Sequence, residues 1–217
     1  MLKSLQAGSG LLFAVFVVMH LTNTWLAALG PGAYNETQQL LRTIYQFPPL
    51  EALLLAALAV HIVVGVMRIV QEPKRELNLR ARLHRYAGFF LLLVIFGHIA
   101  AVRGPSWMFE IYPGFEGLAF SIDFAPAYFL PYYFLLGLTG FYHGLNGIGI
   151  ALTRLGFRAT IGPQMLRATT GFAGVLMIAA LMGFSGVWTD PGDLTENEFA
   201  QLALGILNGD PLPTTHE

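Results

Sequence analysis

Five long apolar runs, separated by polar or glycine- and proline-rich connections, set the pattern of this chain: residues 9–29, 50–70, 83–103, 127–152 and 168–188. A helix needs about 20 mostly apolar residues to cross a bilayer. The pattern therefore predicts an all-α integral membrane bundle of five transmembrane helices. Gly30, Pro31 and Gly32 stop the first run. The polar stretch AYNETQQLLRTIYQFPP before the second run predicts a short interfacial helix. QEPKRELNLRARLHR, the most basic part of the chain, joins the second run to the third. From Gly104 to Pro126 the pattern predicts a loop, in which Trp107, Phe109, Tyr112 and Phe115 suit a membrane–water interface. Residues 189–217 form a polar, acidic tail with a short amphipathic helix expected around residues 195–207. Residues 1–217 thus read as one transmembrane domain, with no second domain, low-complexity segment or internal repeat.

Charge orients the bundle. With alternating spans, Lys3, Arg68, Lys74, Arg75, Arg80, Arg82, Arg85, Arg154, Arg158 and Arg167 fall on one side and only Arg42 and Arg103 on the other. Cytoplasmic loops carry the excess of Lys and Arg, so the N-terminus is expected in the cytoplasm and the C-terminal tail outside, in a multi-pass protein of the cell inner membrane. Lys3, the apolar run after it and the small residues of LAALGPGA imitate a signal peptide. The run is too long for one and contains His20, Asn23 and Thr24, so it reads as a retained first span.

Composition narrows the chemistry. The chain is 55% hydrophobic and 12% charged, with a mean hydropathy of +0.59, outside the balance of soluble domains. No basic patch suggests nucleic acid. With no cysteine, disulfides, cysteine-ligated clusters, thiolate-bound haem and covalent c-type attachment are excluded. Histidine remains as the metal ligand in quantity.

Four histidines lie inside the first four runs, one in each: His20, His61, His98 and His143. An ionisable side chain in a span is costly and by default a candidate functional site. At a rise of about 1.5 Å per residue, His98 lies about 8 Å and His20 about 15 Å from the outer ends of their spans. His61 and His143 lie about 10 and 16 Å from the inner ends. Two outer and two inner histidines give the pairs His20 with His98 and His61 with His143, each able to clamp one haem iron through neutral imidazoles. Gly65, Gly88, Gly97, Gly140 and Gly147 near them are consistent with close packing around a porphyrin, and equally with any membrane bundle. A haem-free transporter or anchor that uses its histidines for protons is the reading from another class. His84 sits among Arg82 and Arg85 and reads as a residue of the inner boundary, and His216 as part of the tail. His84 and His98 are fourteen apart, the spacing of a bc1-type cytochrome b helix, but the flanking arginines argue against burying His84.

With these residues in place, the chain resembles the di-haem cytochrome b membrane anchors of succinate:quinone and quinol:fumarate reductases, in their single-chain five-helix form. The resemblance is carried by SGLLFAVFVVMH around His20, AVHIVVGVMR around His61, YAGFFLLLVIFGH around His98, FYHGLNGIGIALTRLG around His143, and RATTGFAGVLMIAALMGFSG in the fifth run. It implies two haem b groups, the outer held by spans one and three and the inner by spans two and four. It also implies a flavoprotein and an iron–sulfur subunit docked on the cytoplasmic face, and electron transfer between the cluster and membrane quinone. The dicarboxylate chemistry would then belong to the partners. A quinone-linked complex with other partners would use the same ligand pattern. Some family members carry a glutamate, in a proton route, two residues before the fourth-span ligand; here that position is Phe141. Arg42, Tyr45, Gln46 and Glu51 are polar candidates for quinone contact near the outer end of the second span, with an interfacial role as the plainer reading.

Overall fold

The computed structural model describes residues 1–71, 76–158 and 161–213. Among them there are eight α-helices and no strand. They are α1 (Leu2–Leu26), α2 (Pro31–Tyr45), α3 (Pro48–Gln71), α4 (Leu79–Phe109), α5 (Gly114–Phe124), α6 (Pro126–Arg154), α7 (Pro163–Phe184) and α8 (Glu198–Asn208). Five of these are long and apolar enough to cross a membrane: α1 with the short 3-10 turn that follows it, α3, α4, α6 and α7. Val15, Val18, Leu93, Phe96, Phe172 and Val175 are exposed on them, as side chains facing lipid would be. The protein is a multi-pass, all-α membrane bundle.

The helix ends are written in the sequence. Pro31, Pro126 and Pro163 each open a helix, where the missing N–H costs nothing and the fixed φ suits the first turn. Asn78 and Asn197 cap α4 and α8, accepting hydrogen bonds from the amides of Ala81 and Ala200 at 2.9 and 2.8 Å. The fifth span runs from Pro163 to Phe184 rather than over residues 168–188. Pro163 starts it early, and Gly186, at φ +72°, stops it. There the Gly186 amide donates to Gly183 O and the Val187 amide to Met182 O, both at 3.0 Å, closing the last turn as a left-handed cap.

The stretch 104–126 is not a loop. Helix α4 continues through Pro105 to Phe109, and α5 follows after a short break. Arg103 explains the continuation, because it ties the last turns of α4 to α3 through Glu51. The expected interfacial helix is α2, and the tail helix is α8.

α1 packs extensively on α3 and α6, α6 on α4 and α7, and α7 on the turn after α1. At one end of the bundle α2, α5 and α8 lie against one another as a cap. The main apolar core sits under that cap. Tyr34, Phe115 and Phe184 meet there with ring centroids 4.8 to 5.9 Å apart, packed with Ala27, Ala180 and Leu181. Helix α1 starts at the opposite end, so the cap is the expected outer side.

Candidate haem-ligand pairs

The four span histidines come together as the depth argument expects. His20 on α1 faces His98 on α4, with ring centroids 6.0 Å apart and planes at 67°. His61 on α3 faces His143 on α6 at 6.2 Å and 87°. Neither α1 with α4 nor α3 with α6 is an extensively packed pair. Each histidine pair therefore bridges a diagonal of the bundle, reaching across it where the backbones stand apart.

The distance alone is ambiguous, since edge-to-face rings in any core lie about 4.5–7 Å apart. At the His61/His143 pair hydrogen bonds add to it. Nδ1 of His61 lies 3.2 Å from Gln6 O, and Nδ1 of His143 lies 3.1 Å from His84 O. A carbonyl only accepts, so in each ring Nδ1 carries the proton and donates it. That fixes the tautomer and leaves the Nε2 lone pair for a metal, the outer-shell arrangement of ligating histidines. With metal–nitrogen bonds of about 2.0 Å and ring centres about 1.1 Å behind the ligating atom, two imidazoles on opposite sides of one metal have centroids about 6.2 Å apart. Both pairs match that span. The donors present are two imidazole pairs, His20 with His98 and His61 with His143, a donor set that would suit six-coordinate haem iron.

Glycines keep the rings in place. A Cβ on Gly10 would stand 2.9 Å from Cε1 and Nδ1 of His61, and one on Gly88 would stand 3.0 Å from Cε1 of His143. His20 is braced differently: its ring stacks on Phe16 at 5.5 Å, and Phe16 meets the Tyr45 ring edge-on at 5.3 Å.

His84 departs from the sequence reading. It is half-buried, and its ring lies on that of His143 at 4.1 Å and 3°, with its Nδ1 buried and without a hydrogen-bond partner among the described residues. The flanking arginines do not hold it at the surface, because Arg82 and Arg85 are neighbours in sequence but not on its helix face. His216, Lys74 and Arg75 lie outside the described residues.

Around the His61/His143 pair lie polar residues that the sequence marks only as inner-side charges, Arg68 and Arg80, or not at all, such as Gln6. Gln6 accepts from Arg68 through its side chain while its carbonyl takes His61. Arg80 donates to Asn146 Oδ1 at 2.7 Å and to Ile161 O at 2.8 Å, and Tyr142 donates to Arg80 O at 3.3 Å. Asn146 is 1% exposed; an amide this deep in a span is the signal that marked it.

Of the polar candidates at the capped end, Arg42 lines a cavity of about 580 Å³ with Asn35, Gln38, Thr43, Tyr112 and Glu116. It donates to Gln38 Oε1 at 2.8 Å and lies 4.4 Å over the Tyr112 ring. Burial lowers its pKa, and burial raises that of Tyr45, against the pull of Arg42. Glu51 is not in this cavity. It forms a two-point ion pair with Arg103 at 2.5 and 2.8 Å, and Arg103 also donates to Ser106 and lies 5.2 Å over the Trp107 ring. Glu51 is the one acidic side chain within the five described spans. Phe141 packs its ring 5.8 Å from that of Trp25. Comparison of the chain with protein-family models, with curated proteins and with solved structures finds no match.

Proposed function

We propose that this chain is the di-haem b electron-transfer and membrane-anchor subunit of a succinate dehydrogenase or fumarate reductase complex, serving between an iron–sulfur subunit and membrane quinone. His20 and His98 hold one haem, and His61 and His143 the other. The observation that carries the reading is the inner pair: two imidazoles 6.2 Å apart, each with Nδ1 committed to a backbone carbonyl and Nε2 left to ligate.

Haem bound at each pair supplies a one-electron ferric/ferrous couple. The chain's own residues do the rest. The carbonyls of Gln6 and His84 orient the inner imidazoles and raise their basicity, strengthening them as ligands. Gly10 and Gly88 leave the rings room to stand in that orientation. Phe16, one turn before His20 on α1, braces the His20 ring. Two pairs at two depths give the chain two redox positions in series between its faces. Lys3, Arg68, Arg80, Arg82, Arg85, Arg154, Arg158 and Arg167 lie toward the uncapped side, which supports a cytoplasmic face there and offers a basic surface for the partner subunits.

The test is a pyridine haemochrome assay on the detergent-purified chain, with His20→Ala and His61→Ala beside it. About two haem b per polypeptide, falling to about one in either variant, is expected from two independent bis-histidine pairs. Reduction of the haems by succinate in native membranes then identifies the partner. Well-folded protein with no haem refutes the reading.

A further inference from the structure

The inner pair has a third imidazole that neither the ligand pairing nor the bundle packing requires. His84 touches His143 twice: its carbonyl accepts the Nδ1 proton at 3.1 Å, and its ring lies flat on the His143 ring at 4.1 Å and 3°. Small residues build the slot. Gly88, one turn after His84 on α4, leaves room for the His143 ring. Gly147, one turn after His143 on α6, lies beside His84, whose Cε1 would stand in ordinary contact, 3.6 Å, with a Cβ there.

His84 is not itself placed to ligate the same metal as His143. Imidazole lone pairs lie in the ring plane, so two parallel rings at 4.1 Å aim them side by side, and the gap is well short of the roughly 6.2 Å that opposite axial ligands need. Constraint of His143 is what the geometry does supply. The χ2 torsion of histidine is broad, and one hydrogen bond at Nδ1 lets the ring rock about that bond. A flat partner against the ring removes the rocking.

We propose that His84 is a positioning residue that holds the His143 imidazole near-perpendicular to that of His61. The proposal rests on the di-haem reading, and it concerns the ligand plane rather than ligation. Near-perpendicular axial imidazoles give ferric low-spin haem a strongly anisotropic electron paramagnetic resonance signal, and its largest g value falls as the planes turn toward parallel.

The experiment is low-temperature paramagnetic resonance of the oxidised, haem-loaded full chain, comparing wild type, His84→Ala and His84→Phe, with haem per polypeptide measured on each sample. His84→Ala should keep both haems and the outer signal, while the largest g value of the inner signal falls and the signal broadens. His84→Phe, which keeps a flat ring in the slot, should return the inner signal to its wild-type position. An unchanged inner signal in His84→Ala overturns the proposal, as does a Phe variant that behaves like Ala. Loss of one haem in both variants overturns it too, because it makes His84 necessary for haem binding rather than for the angle of a ligand plane. Absence of haem from the wild type is a separate result and refutes the di-haem reading itself.

Discussion

Gly10→Ala tests how tightly the inner pair is built, because it adds one methyl group against one ring. The new Cβ would stand 2.9 Å from both Cε1 and Nδ1 of His61, whereas ordinary contact begins at 3.4 Å. In a close-packed interior the ring must withdraw by about 0.5 Å or more. That motion stretches the Nδ1 to Gln6 O hydrogen bond, which at 3.2 Å is already near its useful limit. Overpacking of this kind costs about 1–3 kcal/mol, and the lost hydrogen bond about 0.5–1.5 kcal/mol. Together they weaken retention of the inner haem by a factor of about ten to a thousand. The lower part of that range overlaps the 10–100-fold that removal of an outer-shell partner usually costs. Gly8→Ala is the control on the same helix. A Cβ there meets nothing within 4 Å, and the change favours the helix by about 1 kcal/mol. The assay is haem per polypeptide after detergent washing. Gly10→Ala should fall to about one haem and Gly8→Ala should keep about two. Equal retention of both haems in the two variants would refute the steric reasoning.

Three further outcomes follow from the capped end. In Gly183→Ala the new Cβ would meet the backbone of Ala27, with the carbonyl carbon at 2.9 Å and the carbonyl oxygen nearer still. Backbone cannot yield as a side chain can, so the loss should be about 3 kcal/mol or more, read as a lower melting temperature in detergent; a wild-type value would contradict the close approach. Glu51→Gln leaves Arg103 charged, mostly covered and without its counter-ion, since the two side chains are only 17% and 19% exposed. The expected loss is about 3 kcal/mol, largely insensitive to salt, by thermal unfolding; a loss that vanishes at high salt would show the pair to be solvated. Tyr34 lies on α2, outside the spans, and burial holds its pKa above the usual tyrosine value. The unfolded chain therefore gives up this proton first, so the stability is intact below about pH 10 and is lost as pH rises above it. Tyr34→Phe should flatten that alkaline loss, after a cost of about 1 kcal/mol at neutral pH from the Gln38 hydrogen bond; an unchanged alkaline slope would assign the loss to other groups.

What could be read from the sequence was whatever a one-dimensional ruler measures. The spans follow from run length, and the pairing of His20 with His98 and of His61 with His143 follows from rise per residue and alternating direction, because depth along a helix is additive in sequence. Rotation about the helix and contact between helices are not additive in that way, and there the reading failed. Charged neighbours argue against burying His84, yet Arg82 and Arg85 lie on other faces of α4, and the crossing of α4 over α6 brings His84 to His143. Gly88 is visible in the sequence as a small residue near a ligand, but its purpose shows only when it is seen to make room for the His143 ring on the other helix. Pro105 misled for a related reason: a breaker judged locally is overridden when Arg103, two residues earlier, is fastened to Glu51 on α3. The same limit applies to Gln6, which stands before the first apolar run of residues 9–29. Helix α1 begins at Leu2, and that extension is what carries the Gln6 carbonyl to the His61 ring. The ligands themselves were thus legible from composition and depth, whereas the groups that hold them at an angle belong to helix packing. A search for such sites in other short membrane chains should therefore seek histidines by depth first, and then glycines one turn away on the facing helix.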